Sequence, residues 1–306
     1  MVLMNALRRT PLLAARGRRC VSTSDLPSHL KSVRVNVADD VALHAIVPVE
    51  KPSPSAGHPP ILCLPSAFGS VIHNFRHQFT ALSEEFEFIG VDPRGYGFSR
   101  PPERDFPDRY FERDADDVAR AMDALGYDKF SILGWSAGAN TGAVFAARHP
   151  DRVERLVLVN GNAFVDMDDA ETYEEFEDID KWHPASRDEG IAIYGAENLQ
   201  KGWSSMMHKL KSIYDDEGGD LYCGSLPQIR CKTLVVAGGK DRLVPEFHGE
   251  YLNERIMHSK LHVFPNGRHD VHIQEAAAFN QLLEQFLTEP DDKHTQSREF
   301  VARPAT

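Results

Sequence analysis

Apolar residues fall along this chain in short runs, separated by polar segments with helical spacing. Residues 33–37 and 43–47 alternate apolar and polar positions on either side of Ala38-Asp39-Asp40, which predicts a β-hairpin. Residues 61–64, 86–91, 130–133, 155–159, 232–238 and 261–264 are near-continuous apolar runs bounded by turn residues, the pattern of strands buried on both faces. Helical spacing fills most gaps: through Phe75, Phe79 and Leu82; over 109–125, with its acids on the outer face and Gly126 as C-cap; over 139–147; and over 271–287. This alternation predicts an α/β fold, a mostly parallel eight-stranded sheet with helices on both faces. Residues 161–230 carry helix-like spacing without a clear strand, and predict a helical lid inserted after the sixth strand, over the carboxyl ends where such sheets bind ligands. The core is then 32–160 with 231–288, and 289–306 a loose polar tail.

Composition adds a location and removes some partners. Residues 1–24 contain Arg8, Arg9, Arg16, Arg18 and Arg19 with no acid before Asp25, and Leu3, Leu7, Leu12 and Leu13 share part of a helical face. That is the composition of a mitochondrial transit peptide; a disordered basic tail is the alternative, and charges interrupt the apolar core a secretory signal needs. The net charge of −12 despite these arginines argues against nucleic acid as a partner. No run approaches the roughly 18 apolar residues of a membrane span, so no membrane insertion is expected. Cys20, Cys63, Cys223 and Cys231 show no C-x-x-C spacing, which argues for a reducing compartment and against a zinc or disulfide framework.

The chemistry centres on Gly134-Trp135-Ser136-Ala137-Gly138, between the 130–133 run and the 139–147 helix. A G-x-S-x-G pentapeptide joining a strand to a helix is the setting of a nucleophile elbow, which projects the serine hydroxyl from a strained turn. The hydroxyl needs a histidine to take its proton and a carboxylate to orient that histidine, in the chain order serine, acid, histidine. Asp241 directly follows the 232–238 strand and is the first candidate acid; its alternative role is a helix N-cap, and Asp166 competes with it. His269 ends the turn after the last strand and is the candidate base; His272 is its rival, and Asp270 a helix cap. Backbone amides of Ala137 and of the turn 65–69, with Ala67 first and Phe68 second, would hold the oxyanion. Asp92 and Arg94 read as braces of their own loop.

Asp92-Pro93-Arg94-Gly95-Tyr96-Gly97, Ser99-Arg100-Pro101-Pro102, Asp105-Phe106-Pro107, Phe111-Glu112-Arg113-Asp114-Ala115, Gly134-Trp135-Ser136, Lys181-Trp182, Tyr194-Gly195 and Leu243-Val244-Pro245 together resemble the valacyclovir hydrolase, or biphenyl hydrolase-like, family. The resemblance runs from about Val33 to Leu287. It implies a mitochondrial α/β-hydrolase without cofactor that cleaves esters of α-amino acids with Ser136, Asp241 and His269 as its triad; no metal site is expected, and a monomer is favoured without the sequence fixing it. Two positions depart from the family pattern. Ala137 stands where the family has an aspartate that holds the substrate ammonium, and Ser66 replaces a glycine of the oxyanion turn. Asp166 and Asp168 are the candidate replacements for that acid, while Phe68, Trp135, Trp182 and Trp203 are candidate walls of the acyl pocket. Rival readings are carbon-carbon bond hydrolysis of a dienoic ring-cleavage product and a non-catalytic binding protein on the same fold. Haloalkane dehalogenase and epoxide hydrolase chemistry need a carboxylate in place of Ser136.

Overall fold

The computed structural model describes residues 26–50 and 58–290; the basic leader, most of the loop 52–60 and the tail after Pro290 lie outside the described residues. Eight strands form one sheet: β1 (Leu30–Ala38), β2 (Val41–Pro48), β3 (Ile61–Leu64), β4 (Phe88–Val91), β5 (Phe130–Trp135), β6 (Val153–Val159), β7 (Lys232–Gly238) and β8 (Ser259–Phe264). Their spatial order is β1-β2-β4-β3-β5-β6-β7-β8. β1 pairs antiparallel with β2, and β2 antiparallel with β4. All remaining pairs are parallel. The expected fold class is therefore the observed one.

The helices are α1 (Val71–Asn74), α2 (Arg76–Leu82), α3 (Tyr110–Leu125), α4 (Ala137–Arg148), α5 (Met167–Phe176), α6 (Pro184–Tyr194), α7 (Ala196–Glu217), α8 (Glu246–Arg255), α9 (Val271–Gln274) and α10 (Ala276–Thr288). Strand alternation assigns the two faces of the sheet. Leu62 and Leu64 of β3 join the apolar layer of α3, α4 and α8, while Ile61 and Cys63 join that of α1, α2 and α10. Burial on both faces explains why these strands read as continuous apolar runs. A third apolar cluster belongs to α5, α6 and α7, which stand between β6 and β7 and pack down on Phe68 and Tyr96.

Two elements depart from the periodicity. The closing helix is interrupted at Glu275, and the helix through Phe75 is divided after Asn74, whose carbonyl turns to accept from His272 Nε2 at 3.0 Å. The acids of α3 do not all face outward. Asp114 and Asp117 are buried, each gripped by a guanidinium: Arg104 reaches Asp114 at 2.8 and 2.6 Å, and Arg94 reaches Asp117 at 2.7 and 2.9 Å. Periodicity places such acids on a face, but their partners arrive from the loop between β4 and α3, which helical spacing does not describe. These forked pairs pin the loop after β4 to α3, since two parallel bonds fix orientation as well as distance.

Candidate active site

The site is built at the carboxyl ends of β3, β5, β6, β7 and β8. From Phe130 to Ala147 every residue is buried except Ser136, which is half-buried at the junction of β5 and α4. Its backbone is left-handed, φ 55° and ψ −121°, a conformation disfavoured for a residue with a Cβ. The surroundings hold it there. The Ser136 amide donates to the Val159 carbonyl at 2.8 Å, and α4 begins one residue later. Close packing requires the flanking glycines: a Cβ on Gly138 would lie 2.1 Å from the Leu64 carbonyl oxygen, and one on Gly134 would lie 2.4 Å from that of Gly138. The head of α4 therefore abuts the end of β3, where the turn 65–70 starts.

In that turn the Ser66 amide donates to Asn74 Oδ1 at 3.0 Å and its hydroxyl to the same atom at 3.2 Å, while the Gly69 amide donates to the Ser66 carbonyl at 3.1 Å. Ser66 thus fastens the turn to α1. The amides of Ala67 and of Ala137, the first residue of α4, have no acceptor among the described residues. Free amides at a helix head suit an anion. Phe68 follows with φ 53° and turns its ring under the lid, edge-on to Tyr96, Tyr194 and Trp203. Tyr194 ends α6 and ties the lid to the same region: its hydroxyl accepts from the Gly97 amide at 2.5 Å and donates to the Gly69 carbonyl at 3.5 Å.

His269 and Asp241 are brought together from the loops after β8 and β7. His269 Nδ1 lies 2.7 Å from Asp241 Oδ2, with the carboxylate fully buried and the imidazole 22% exposed. Asp241 Oδ1 accepts from the Leu243 and Val244 amides at 2.9 and 3.1 Å. Asp241 caps no helix, since α8 starts at Glu246 with Pro245 as its N-cap; Oδ1 instead ties the loop 241–244 together while Oδ2 binds His269. An ionised carboxylate only accepts, so Nδ1 carries the hydrogen and Nε2 is left as the acceptor. Burial pulls the His269 pKa down, but the Asp241 charge and hydrogen bond, with Asp270 adding, outweigh it and the net displacement from 6.5 is upward.

The rival residues are occupied elsewhere. His272 is completely buried, donates from Nε2 to the Asn74 carbonyl, and is held neutral by burial, which drives its pKa to about 3. Asp166 is the N-cap of α5 in a capping box: its Oδ1 accepts from the Asp169 amide at 2.9 Å, and Asp169 Oδ2 accepts from the Asp166 amide at 3.0 Å. Asp169, one of the acids that helical spacing places on a solvated face of the 161–230 stretch, is instead buried against His248 Nε2 at 3.0 Å. Asp168 is exposed in the first turn of α5. Trp135 is not an acyl-pocket wall. Its ring belongs to the apolar layer of α1, α2 and α10, packs 4.5 Å from His272, and its indole N–H donates to the His269 carbonyl at 2.7 Å. Trp182 stands edge-on to Trp203 at 4.6 Å in the lid layer.

One residue that the sequence pattern does not single out links these loops. Asn160, directly after β6, is buried and left-handed at φ 48°. Its Nδ2 donates to the His269 carbonyl at 2.7 Å and to that of Arg268 at 3.1 Å, and its Oδ1 accepts from the Gly238 amide at 2.9 Å. Its own amide donates to the Val236 carbonyl at 2.9 Å. The His269 backbone is thereby held by Trp135, the neighbour of Ser136, and by Asn160, which also grips the strand leading to Asp241. The only available signal was an asparagine, tolerant of left-handed backbone, at a strand end.

Comparison with known proteins agrees with this architecture. A family model described as alpha/beta hydrolase fold matches residues 59–210. Serine hydrolase BPHL of Mus musculus is 38% identical over 232 residues, covering 76% of this chain and 80% of the relative. A 2-hydroxymuconate semialdehyde hydrolase of Pseudomonas putida is 28% identical over 230 residues, covering 70% and 81%. Among solved structures, 2-hydroxy-6-oxo-6-phenylhexa-2,4-dienoate hydrolase from Rhodococcus sp. strain RHA1 superposes with a TM-score of 0.67 at 19% identity, covering 84% of this chain and 98% of that one; at that identity it speaks for the fold alone. With an elbow, its parallel sheet and a relative this similar over most of both lengths, the chain belongs to the α/β-hydrolase family as a hydrolase of the serine hydrolase BPHL group.

Proposed function

We propose that this protein hydrolyses small carboxylic esters through an acyl-enzyme on Ser136. His269 Nε2 takes the Ser136 proton as Oγ attacks the ester carbonyl, and Asp241 stabilises the imidazolium that forms. The Ala67 and Ala137 amides receive the oxyanion, the alcohol leaves with the proton from His269, and water activated by the same imidazole releases the acid. The observation that carries this reading is the 2.7 Å bond between His269 Nδ1 and Asp241 Oδ2, in a loop whose carbonyl is tied to the residue preceding Ser136. Carbon-carbon bond hydrolysis is the second reading, supported by the name of the P. putida relative.

The substrate we infer lacks an α-ammonium group. Ala137 offers a methyl, Asp241 has both oxygens engaged, Asp166 caps α5, and Asp169 pairs with His248. An ammonium enclosed without a counter-charge is unfavourable, while Phe68, Trp182 and Trp203 of the lid layer favour an apolar acyl group. We also propose mitochondrial residence, from the arginine-rich, acid-free residues 1–24. Fusing those residues to a fluorescent protein tests it, and a diffuse cytosolic signal contradicts it.

Kinetics test the chemistry. Ser136→Ala is expected to lower kcat on aryl esters about a million-fold, and Asp241→Asn about ten-thousand-fold through the wrong histidine tautomer. Protonated His269 cannot accept the serine proton, so kcat/KM falls as pH drops through its pKa. Because that pKa is displaced upward by Asp241, the acid limb is predicted above pH 6.5 and should move to lower pH in Asp241→Asn. An unmoved limb, or aryl-ester turnover slower than that of dienoates, contradicts the ester reading.

Asn160→Gly keeps the left-handed backbone and removes three side-chain hydrogen bonds. It is predicted to lower kcat roughly a hundred-fold with little change in KM, since small misplacement of a reacting group costs about that much. Unchanged kcat in folded protein removes Asn160 from the positioning of His269. For specificity, paired esters with and without an α-amino group should be hydrolysed in favour of the amine-free member, and Ala137→Asp should shift the ratio toward the amine by about tenfold or more. An amine-preferring native protein contradicts the inferred substrate.

A further inference from the structure

A second serine, histidine and aspartate stand in line outside the elbow. In the β1–β2 hairpin Ser32 is opposite Ile46 and Arg34 is opposite His44, so Ser32, Arg34 and His44 share one face of the sheet. On its other edge β2 pairs with β4, and the Asp92 amide, just past β4, donates to the His44 carbonyl at 3.0 Å. This register leaves Ser32 Oγ 2.7 Å from His44 Nε2, and His44 Nδ1 2.9 Å from Asp92 Oδ2.

The hydrogen-bond directions follow from the surroundings of Asp92. Its carboxylate is completely buried and accepts from the Val71 amide at 2.7 Å and the Phe98 amide at 3.0 Å, besides His44. Donors converging on both oxygens suit the anion, so Nδ1 of His44 is the protonated nitrogen and Nε2 accepts from the Ser32 hydroxyl. A buried histidine with two satisfied nitrogens is a common structural feature. Here the distribution of exposure adds something: His44 and Asp92 are buried, whereas Ser32 is exposed on the outer strand. The serine lies at the surface while its base and the base's carboxylate are shielded from solvent.

We propose that Ser32 is a second reactive serine, a stoichiometric acceptor of acyl and phosphonyl groups, with His44 as its base and Asp92 as the positioning residue for His44. With a fluorophosphonate, Ser32 Oγ attacks phosphorus, the O–P bond forms, the P–F bond breaks, fluoride leaves, and the hydroxyl proton passes to His44 Nε2 and then to solvent. With an activated ester, Oγ attacks the carbonyl carbon, the bond to the alcohol oxygen breaks, and that oxygen departs with the proton from His44. Ser32 lies within a strand and not at a helix head, so it lacks the amide pair beside Ser136. Its reaction is therefore expected to be at least about a hundred-fold slower than that of Ser136.

The test is fluorophosphonate labelling of the Ser136→Ala protein, folded and urea-unfolded, with the adduct located by peptide mass spectrometry. A slow adduct is expected on Ser32 in the folded protein, none at Ser32 after unfolding, and its loss in Ser32→Ala/Ser136→Ala. His44→Gln should slow it at least tenfold; if that variant does not fold, the folded-to-unfolded comparison of the Ser136→Ala protein carries the decision. No Ser32 adduct in folded Ser136→Ala protein, or equal labelling in folded and unfolded protein, overturns the proposal. Ser136 and Ser32 lie on different peptides of the native digest, so failure at one serine is read separately from failure at the other.

Discussion

The constraint on which the structure turns is a strand and a helix joined through a single left-handed residue. Ser136 holds φ 55° because β5 is paired on both edges and α4 is pressed against the end of β3, with no room for a side chain at Gly134 or Gly138. A strained backbone of this kind costs on the order of 1–3 kcal/mol and persists only where its neighbours over-determine it. The same packing leaves the first amide of α4 without an intrahelical partner and turns the only unburied residue of the segment toward the carboxyl edge of the sheet. Strain, free amide and accessible hydroxyl thus have one cause.

The second requirement is that loops far apart in the chain meet with sub-ångström consistency. A parallel sheet ends its strands along one edge, but edge alignment alone does not fix side chains on the following turns. Asn160 and Trp135 do so through one acceptor, the His269 carbonyl, while Asn160 also holds the Gly238 amide on the strand that delivers Asp241. The α5–α7 layer joins the same framework, with Phe68 of the turn 65–70 lodged among Tyr96, Tyr194 and Trp203.

Much of this was legible in the residues, and the exceptions share a cause. Apolar runs on a parallel sheet, the glycines of the elbow and the order of serine, acid and histidine are local or sequential signals, and they placed the strands and brought Asp241 and His269 into one reading. The sequence does not reveal that Trp135 faces the α1, α2 and α10 layer, because its direction depends on strand alternation at the sheet end and its partner is a carbonyl 134 residues away. Asp166 looked free because a capping box is completed only when α5 starts where it does. The outer face that spacing gives the acids of α3 fails at Asp114 and Asp117 because their guanidinium partners, Arg104 and Arg94, come from the loop before the helix. Asn160 gave almost no signal, since its work is done by three tertiary hydrogen bonds.

If these loops assemble the turnover site at Ser136, an acyl-enzyme forms there during the reaction. Rapid acid quench of the native protein during turnover of an activated acetate ester, followed by peptide mass spectrometry, should find an acetyl group on the peptide carrying Ser136, formed and lost at rates compatible with turnover. Turnover of that ester with no acyl group on Ser136 at any quench time would contradict the account.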